Sequence, residues 1–76
     1  MGDKIKQLED KIKDLNALKA EYRKEIEEAR RELQKKTITQ QKYDKLKAKN
    51  EKHMEKVSKK IHAKKEKLDA LRKKEI

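Results

Sequence analysis

The spacing of apolar residues is the feature of this sequence that most restricts its fold. From Ile5 onward, apolar side chains recur alternately three and four positions apart, as in a helix that buries one narrow stripe. Of the 76 residues 53% are charged and only 32% are apolar, so the chain cannot fill a broad globular core. The stripe, called the seam below, therefore predicts paired helices. Its first half comprises Ile5, Leu8, Ile12, Leu15, Tyr22, Ile26 and Leu33, and its second half comprises Tyr43, Leu46, Met54, Val57, Ile61, Leu68 and Leu71.

A short break separates the two halves of the seam. The consecutive β-branched residues Thr37, Ile38 and Thr39 disfavour a helix. Thr39 is suited to cap a following helix, with Ile38 packing on Tyr43, whereas the spacing of Thr37 and Gln40 offers an earlier start. We predict an all-α fold with a single domain over residues 1–76, a helix over about 3–36, a turn at 37–39 and a helix over about 40–75.

The charges favour a chain that folds back on itself. If residues whose numbers add to 76 face each other, five apolar layers form and the flanking charges are opposite in sign. The alternative is one uninterrupted helix about 110 Å long, since no glycine or proline enforces the break. The predicted flanking pairs are Glu9 with Lys65, Arg23 with Glu51 and Arg30 with Asp44, and the imperfect layers are Lys19 with Val57, Ile26 with Asn50 and Ile12 with Lys64.

The predicted architecture is thus a two-helix antiparallel coiled-coil hairpin. Burying a leucine or isoleucine contributes roughly 1.5–3 kcal/mol, while ordering each backbone residue costs about 1–2 kcal/mol, so such a polar hairpin is marginal alone. We therefore expect a protein partner or self-association into a four-helix bundle. Leu18 and Leu46 at the open edges of the seam, together with Met54, are predicted to supply the apolar contacts.

The second helix carries most of the net charge of +10. Residues 3–36 hold 11 basic and 9 acidic residues, whereas residues 40–76 hold 14 and 6. Evenly spaced lysines can track the phosphates of RNA or DNA or attract an acidic protein, although a lysine-rich helix face is often only solvated. An anionic membrane surface is the weakest interpretation, because the apolar face is narrow. The candidate binding residues are Lys42, Lys45, Lys49, Lys52, Lys56 and Lys59, called the lysine stripe, and Lys60, Lys67 and Lys74, which are expected to meet Lys4 and Lys11 at the open end of the hairpin.

The sequence contains no pattern that carries a reaction. It has no cysteine, no phosphate-binding glycine loop and no zinc motif, and His53 and His62 are nine positions apart, on opposite sides of a helix. We expect no catalytic, cofactor or metal site, no small-molecule substrate and a cytoplasmic location, with His53 beside Glu25 in an ordinary contact. The predicted function is a non-catalytic interaction or assembly module that binds a protein partner or itself. The alternative is sequence-nonspecific binding to a nucleic-acid backbone through the basic second helix.

Overall fold

The computed structural model describes residues 2–74, which form two helices packed side by side in a hairpin. Helix α1 spans Gly2–Gln34 and helix α2 spans Gln40–Lys74. The molecule measures 56 × 15 × 13 Å, close to the roughly 50 Å length of one such helix. The fold is therefore an all-α hairpin, and the alternative of one uninterrupted helix is excluded. The predicted end of the second helix at about residue 75 lies outside the described residues.

Helix α1 ends at Gln34, two residues earlier than predicted. It ends there because Lys36 adopts the left-handed helical conformation, which stops an α-helix. The backbone N–H of Lys36 donates to the Leu33 carbonyl (3.0 Å), and that of Thr37 donates to the Glu32 carbonyl (2.9 Å). These two bonds form a Schellman motif, which satisfies carbonyls that the helix end leaves free. Lys36 occupies the left-handed position of the motif with φ of 63°, where glycine is the usual residue.

Helix α2 begins where the sequence predicts it, directly after Thr39. The Thr39 side-chain oxygen accepts a hydrogen bond from the Lys42 backbone N–H (3.2 Å), and its carbonyl accepts the first helical bond from Tyr43 (3.1 Å). Thr39 is therefore the N-cap. Ile38 packs against the apolar cluster that contains Tyr43, as expected for a hydrophobic staple. Thr37 is not a cap, since its hydroxyl donates back to the Glu32 carbonyl (3.0 Å).

The densest part of the core lies beside the turn. Ile26, Ala29 and Tyr43 are buried there. The exposed residue Arg30 donates a hydrogen bond from its Nε to the Tyr43 hydroxyl (3.4 Å). Four partly buried apolar residues complete the cluster: Leu33, Ile38, Leu46 and Met54.

Away from the turn, the seam side chains of α2 are more deeply buried than those of α1. Val57, Ile61 and Leu68 of α2 are buried, whereas the α1 seam residues beyond Tyr22 remain half-buried. The half-buried set on α1 is Ile5, Leu8, Ile12 and Leu15, all in the half of the helix that leads to the open end. The hairpin thus covers its seam well near the turn and incompletely at the open end.

A change in spacing within α2 brings an unexpected residue into the seam. The step from Tyr43 to Met54 is eleven residues, which is not a whole number of heptads, and both His53 and Met54 are half-buried as a result. The antiparallel pairing predicts Tyr22 opposite Met54, and the Tyr22 ring stacks on the adjacent residue His53, with ring centroids 5.1 Å apart and planes 12° apart. Glu25, the predicted neighbour of His53, accepts a hydrogen bond from Asn50.

Asn50 is the buried polar residue of the seam, with 3% of its surface exposed. Its Nδ2 donates to the Tyr22 backbone carbonyl (3.1 Å) and to Oε2 of Glu25 (2.8 Å), both on α1. The sequence pairs Asn50 with Ile26 in a layer that is imperfect because one member is polar. In the structure, the Asn50 side chain of this layer makes hydrogen bonds between the helices. A buried asparagine satisfied in one alignment opposes a shift of one helix along the other.

The predicted ion pairs between the helices are replaced by a different one. Glu9 pairs with Arg72 (3.6 Å) rather than with Lys65, which lies in the same groove, and Arg30 bonds Tyr43 rather than Asp44. No ion pair within 4.0 Å joins Arg23 to Glu51 in residues 2–74, where Glu51 pairs instead with Lys47 of its own helix (3.9 Å). Long charged side chains beside the seam can reach several neighbours, and the ion pairs that they could form differ little in free energy. The pairing of residues whose numbers add to 76 therefore does not determine which ion pairs form.

Replacing Lys36 by glycine should stabilise the hairpin. A non-glycine residue in the left-handed conformation costs about 1–2 kcal/mol, so Lys36→Gly should raise the free energy of unfolding by about 1 kcal/mol in urea titrations followed by circular dichroism. Lys35→Gly removes the same charge at a neighbouring residue without positive φ, and it should instead lower stability by about 0.5–1 kcal/mol. Equal effects of the two changes would contradict the left-handed stop.

Replacing Asn50 by leucine should increase stability while reducing the uniqueness of the helix alignment. Burying the leucine should contribute roughly 1.5–3 kcal/mol, against about 0.5–1.5 kcal/mol for each of the two lost hydrogen bonds. A polar residue at a seam position restricts the alignment at a cost in stability, so we expect the gain to exceed the loss. Thermal melting should therefore show a higher midpoint, and sedimentation velocity should show more than one species. Lys49→Leu, at the adjacent exposed position, is the control for added hydrophobicity. A less stable, single-species Asn50→Leu protein would show that Asn50 does not restrict the alignment.

Candidate basic groove and lysine stripe

Two grooves run along the hairpin, one on each side of the helix interface. The groove on one side, called the basic groove, begins at the open end with a volume of about 460 Å³. Leu8 and Leu71, both half-buried seam residues, give it an apolar floor. The remaining lining residues are exposed and are Lys4, Gln7, Lys11, Lys67, Ala70 and Lys74.

The basic groove continues toward the turn in a second segment of about 510 Å³. Lys11 and Lys67 line both segments, so the two are continuous. Leu15 continues the apolar floor, and Lys64, which the sequence places as a mismatch opposite Ile12, leaves the seam toward this groove. A buried aliphatic stem with an ammonium group at the rim explains how a lysine is accommodated at that position. The other residues of this segment are Asp14, Lys60 and Ala63.

The groove on the opposite side has charges of both signs. Glu9 and Arg72 form an ion pair across it, and Asp69 adds a second carboxylate. Lys13 and Lys65 complete its charged lining, around a volume of about 450 Å³. Lys19, the other lysine of the seam, opens toward this side beside Asn16 and His62. The two sides of the hairpin therefore differ in charge although their apolar floors are similar.

The predicted binding lysines fall into two groups in the structure. Lys60, Lys67 and Lys74 line the basic groove together with Lys4 and Lys11, which is the juxtaposition that the antiparallel pairing predicted. The six members of the lysine stripe are exposed along α2. Lys59 contacts Glu55 at 3.9 Å, with both side chains mostly in solvent. The stripe and the groove therefore form two surfaces, an outer helix face and an apolar-floored channel.

The residues predicted to supply apolar contacts to a partner differ in exposure. Leu18 is exposed, with 42% of its surface accessible. Leu46 and Met54 are half-buried and pack against the cluster of Ile26, Ala29 and Tyr43, so their contact with a partner stays a prediction. Gln7 and Ala70 also line the basic groove and were not predicted from the sequence. Their position directly before the seam residues Leu8 and Leu71 is the signal that could identify them.

Both histidines make ordinary side-chain contacts. His62 Nε2 lies 3.0 Å from Oε1 of Glu66 on the exposed side of α2, and His53 stacks on Tyr22. In residues 2–74 no three His, Asp or Glu side chains are close enough together to hold a metal ion. The hydrogen bond to the Tyr43 hydroxyl raises the pKa of the Arg30 guanidinium, which is charged at every ordinary pH already.

Comparisons with protein-family models, with curated proteins and with solved structures found no match to this chain. Among residues 2–74, neither helix has a stretch long and apolar enough to cross a membrane.

Proposed function

We propose that this chain is a non-catalytic interaction module, a coiled-coil hairpin that presents its helices to a protein partner or to a second copy of itself. The uneven burial of the seam is the observation that carries this proposal. Ile5, Leu8, Ile12 and Leu15 stay half-buried in the isolated hairpin, while Ile61 and Leu68 of α2 are buried. A further helix packed beside the open end would remove that remaining apolar surface from water.

The spacing of the interior residues supports coiled-coil packing. Every seam position of α1 from Ile5 to Leu33 is at least half-buried, and its exposed neighbours are mostly charged. In α2 the heptad spacing resumes after Met54 and places Ile61 and Leu68 one heptad apart. Pairing of two hairpins into a four-helix bundle would use the same seam residues. The proposed location is cytoplasmic, in keeping with a chain that lacks cysteine.

The small buried apolar core favours a partner over an isolated hairpin. In residues 2–74 the buried apolar set consists of six side chains, Ala29 among them, distributed over two helices of 33 and 35 residues. Full burial of a large apolar side chain contributes roughly 1.5–3 kcal/mol, whereas ordering each residue costs about 1–2 kcal/mol. Additional burial from a partner would make association and folding mutually supportive.

Binding to a nucleic-acid backbone is the second candidate function, favoured by the lysine stripe. Its lysines are exposed at intervals of three or four residues along α2. From Lys42 to Lys59 they extend about 25 Å by helix rise, enough to neutralise several successive phosphates. Tyr43 is buried and Tyr22 is stacked on His53, so neither is free to stack on bases, and any such binding would be insensitive to sequence.

Sedimentation equilibrium should distinguish the two candidates. The proposal expects a helical species whose mass is unchanged when generic RNA or duplex DNA is added near physiological salt. Its mass should instead increase with protein concentration or on addition of a protein partner. Because apolar burial would drive this association, it should persist as the salt concentration is raised.

Complexes with both RNA and DNA that weaken steeply with salt would contradict this proposal. A slope of about −4 to −5 in log affinity against log salt would indicate roughly five phosphate contacts. In that case Lys49→Gln with Lys52→Gln should reduce the slope. Lys6→Gln with Lys24→Gln, which removes the same charge from exposed positions of α1, is the matched control.

A further inference from the structure

The basic groove combines an apolar floor with a rim of one charge. Its floor is formed by Leu8, Leu15 and Leu71, and each of these is only half-buried. Ala70, with its small side chain, leaves the channel open beside Leu71. A leucine-floored channel between two helices has the shape that the apolar stripe of a third helix fits.

The rim of this groove has almost no compensating negative charge. Lys4, Lys11, Lys67 and Lys74 surround the first segment, and no carboxylate of residues 2–74 lines it. Asp14 is the single carboxylate of the second segment. The opposite groove, with the same helices as walls, contains carboxylates from both helices and an ion pair across it. Positive charge is therefore more strongly concentrated in the basic groove than in the opposite groove, where two carboxylates partly compensate three cationic side chains.

We infer that the basic groove is the docking site for one amphipathic helix with an apolar stripe and acidic flanks, supplied by a protein partner. This inference rests on the proposed function and specifies where the partner binds and what chemistry it offers. The leucines would contact its apolar stripe, and the lysines at each rim would face its glutamates or aspartates. The groove segments between Lys60 and Lys74 extend about 21 Å by helix rise, so a helix of about 15 residues would span them.

Two other occupants fit the groove less well. A second copy of the chain seated with its own basic groove on this one would bring lysine rims together, and like charges across an interface are strongly unfavourable. A nucleic-acid backbone would neutralise the lysines but leave the leucine floor without an apolar partner. Among residues 2–74, no aromatic side chain lines the groove for base stacking. An acidic amphipathic helix satisfies both the floor and the rim.

Fluorescence anisotropy with a labelled designed helix tests this inference. The probe is a helix of about 18 residues with leucines in one stripe and glutamates on both flanks. One control peptide has the same composition scrambled so that no stripe forms, and a second has lysines in place of the glutamates. The full chain should bind the acidic striped helix, and it should bind each control at least about tenfold more weakly.

A pair of matched variants locates the binding site. Ala70→Glu places a carboxylate in the groove, and Ala48→Glu makes the same change at an exposed position of α2 outside it. Ala70→Glu should weaken binding of the acidic striped helix by about tenfold, through like-charge repulsion, while Ala48→Glu should change it by less than about twofold. Circular dichroism should give equal helix content for both variants, because each substitution is at an exposed helical site.

The outcomes separate this inference from the proposed function. Equal binding by Ala70→Glu and Ala48→Glu would show that a helix docks elsewhere, which overturns the groove assignment and leaves an interaction module. No binding of the striped helix to the unmodified chain would overturn the acidic helix as occupant. Duplex RNA that binds more tightly than the helix, and that Ala70→Glu weakens, would make phosphate the occupant and would overturn both proposals.

Discussion

The whole arrangement depends on reversing the chain within the five residues between Gln34 and Gln40. Two backbone hydrogen bonds end α1 in a Schellman motif with Lys36 in a left-handed conformation, and Thr39 caps the start of α2. Because a short connection leaves little freedom, it brings Ile26, Ala29 and Tyr43 together in the densest part of the core. From that cluster, the seam residues of both helices continue the contact toward the open end.

Distance from the turn then separates the hairpin into two parts with different physical roles. Near the turn, apolar packing, the Asn50 hydrogen bonds and the stack of Tyr22 on His53 fasten the helices to each other. At the open end, α1 leaves its seam half-covered, and lysines collect on one side of the interface. The contacts near the turn hold the two helices in place, and the open end keeps partly exposed apolar side chains beside lysines. This combination suits the proposed interaction module. The proposed function and the proposed acidic helix both follow from this division.

Much of this fold could be predicted from the sequence, since it depends on residue spacing and local capping. The seam residues of α1 are all buried or half-buried, and Thr39 starts α2 as its hydroxyl and position predict. The end of α1 could not be predicted in the same way. A left-handed stop is signalled by glycine, and here a lysine occupies that conformation because the surrounding hydrogen bonds hold it there.

The candidate site could be predicted only in part, because long side chains choose among several neighbours. The meeting of Lys11 with Lys67 follows from antiparallel pairing. The pairing of Glu9 with Arg72 depends on side-chain reach, which helix periodicity does not specify. The stack on His53 arises from the eleven-residue step, where two adjacent residues share one seam position. The apolar floor of the basic groove depends on how far each seam residue is covered, and that is a property of the packed pair of helices.

Residue-resolved amide hydrogen exchange on the chain alone tests the central claim most directly, because exchange reports local opening. The account predicts the strongest protection around Ile26, Ala29 and Tyr43. It also predicts weaker protection at Leu8 and Leu15 of α1 than at Ile61 and Leu68 of α2 at the same end of the hairpin, a difference that equal fraying of both helices would not produce. Uniform protection along α1, or protection strongest at the open end, would contradict this description. In it, the helices pack tightly beside the turn, and the α1 seam is incompletely covered at the open end.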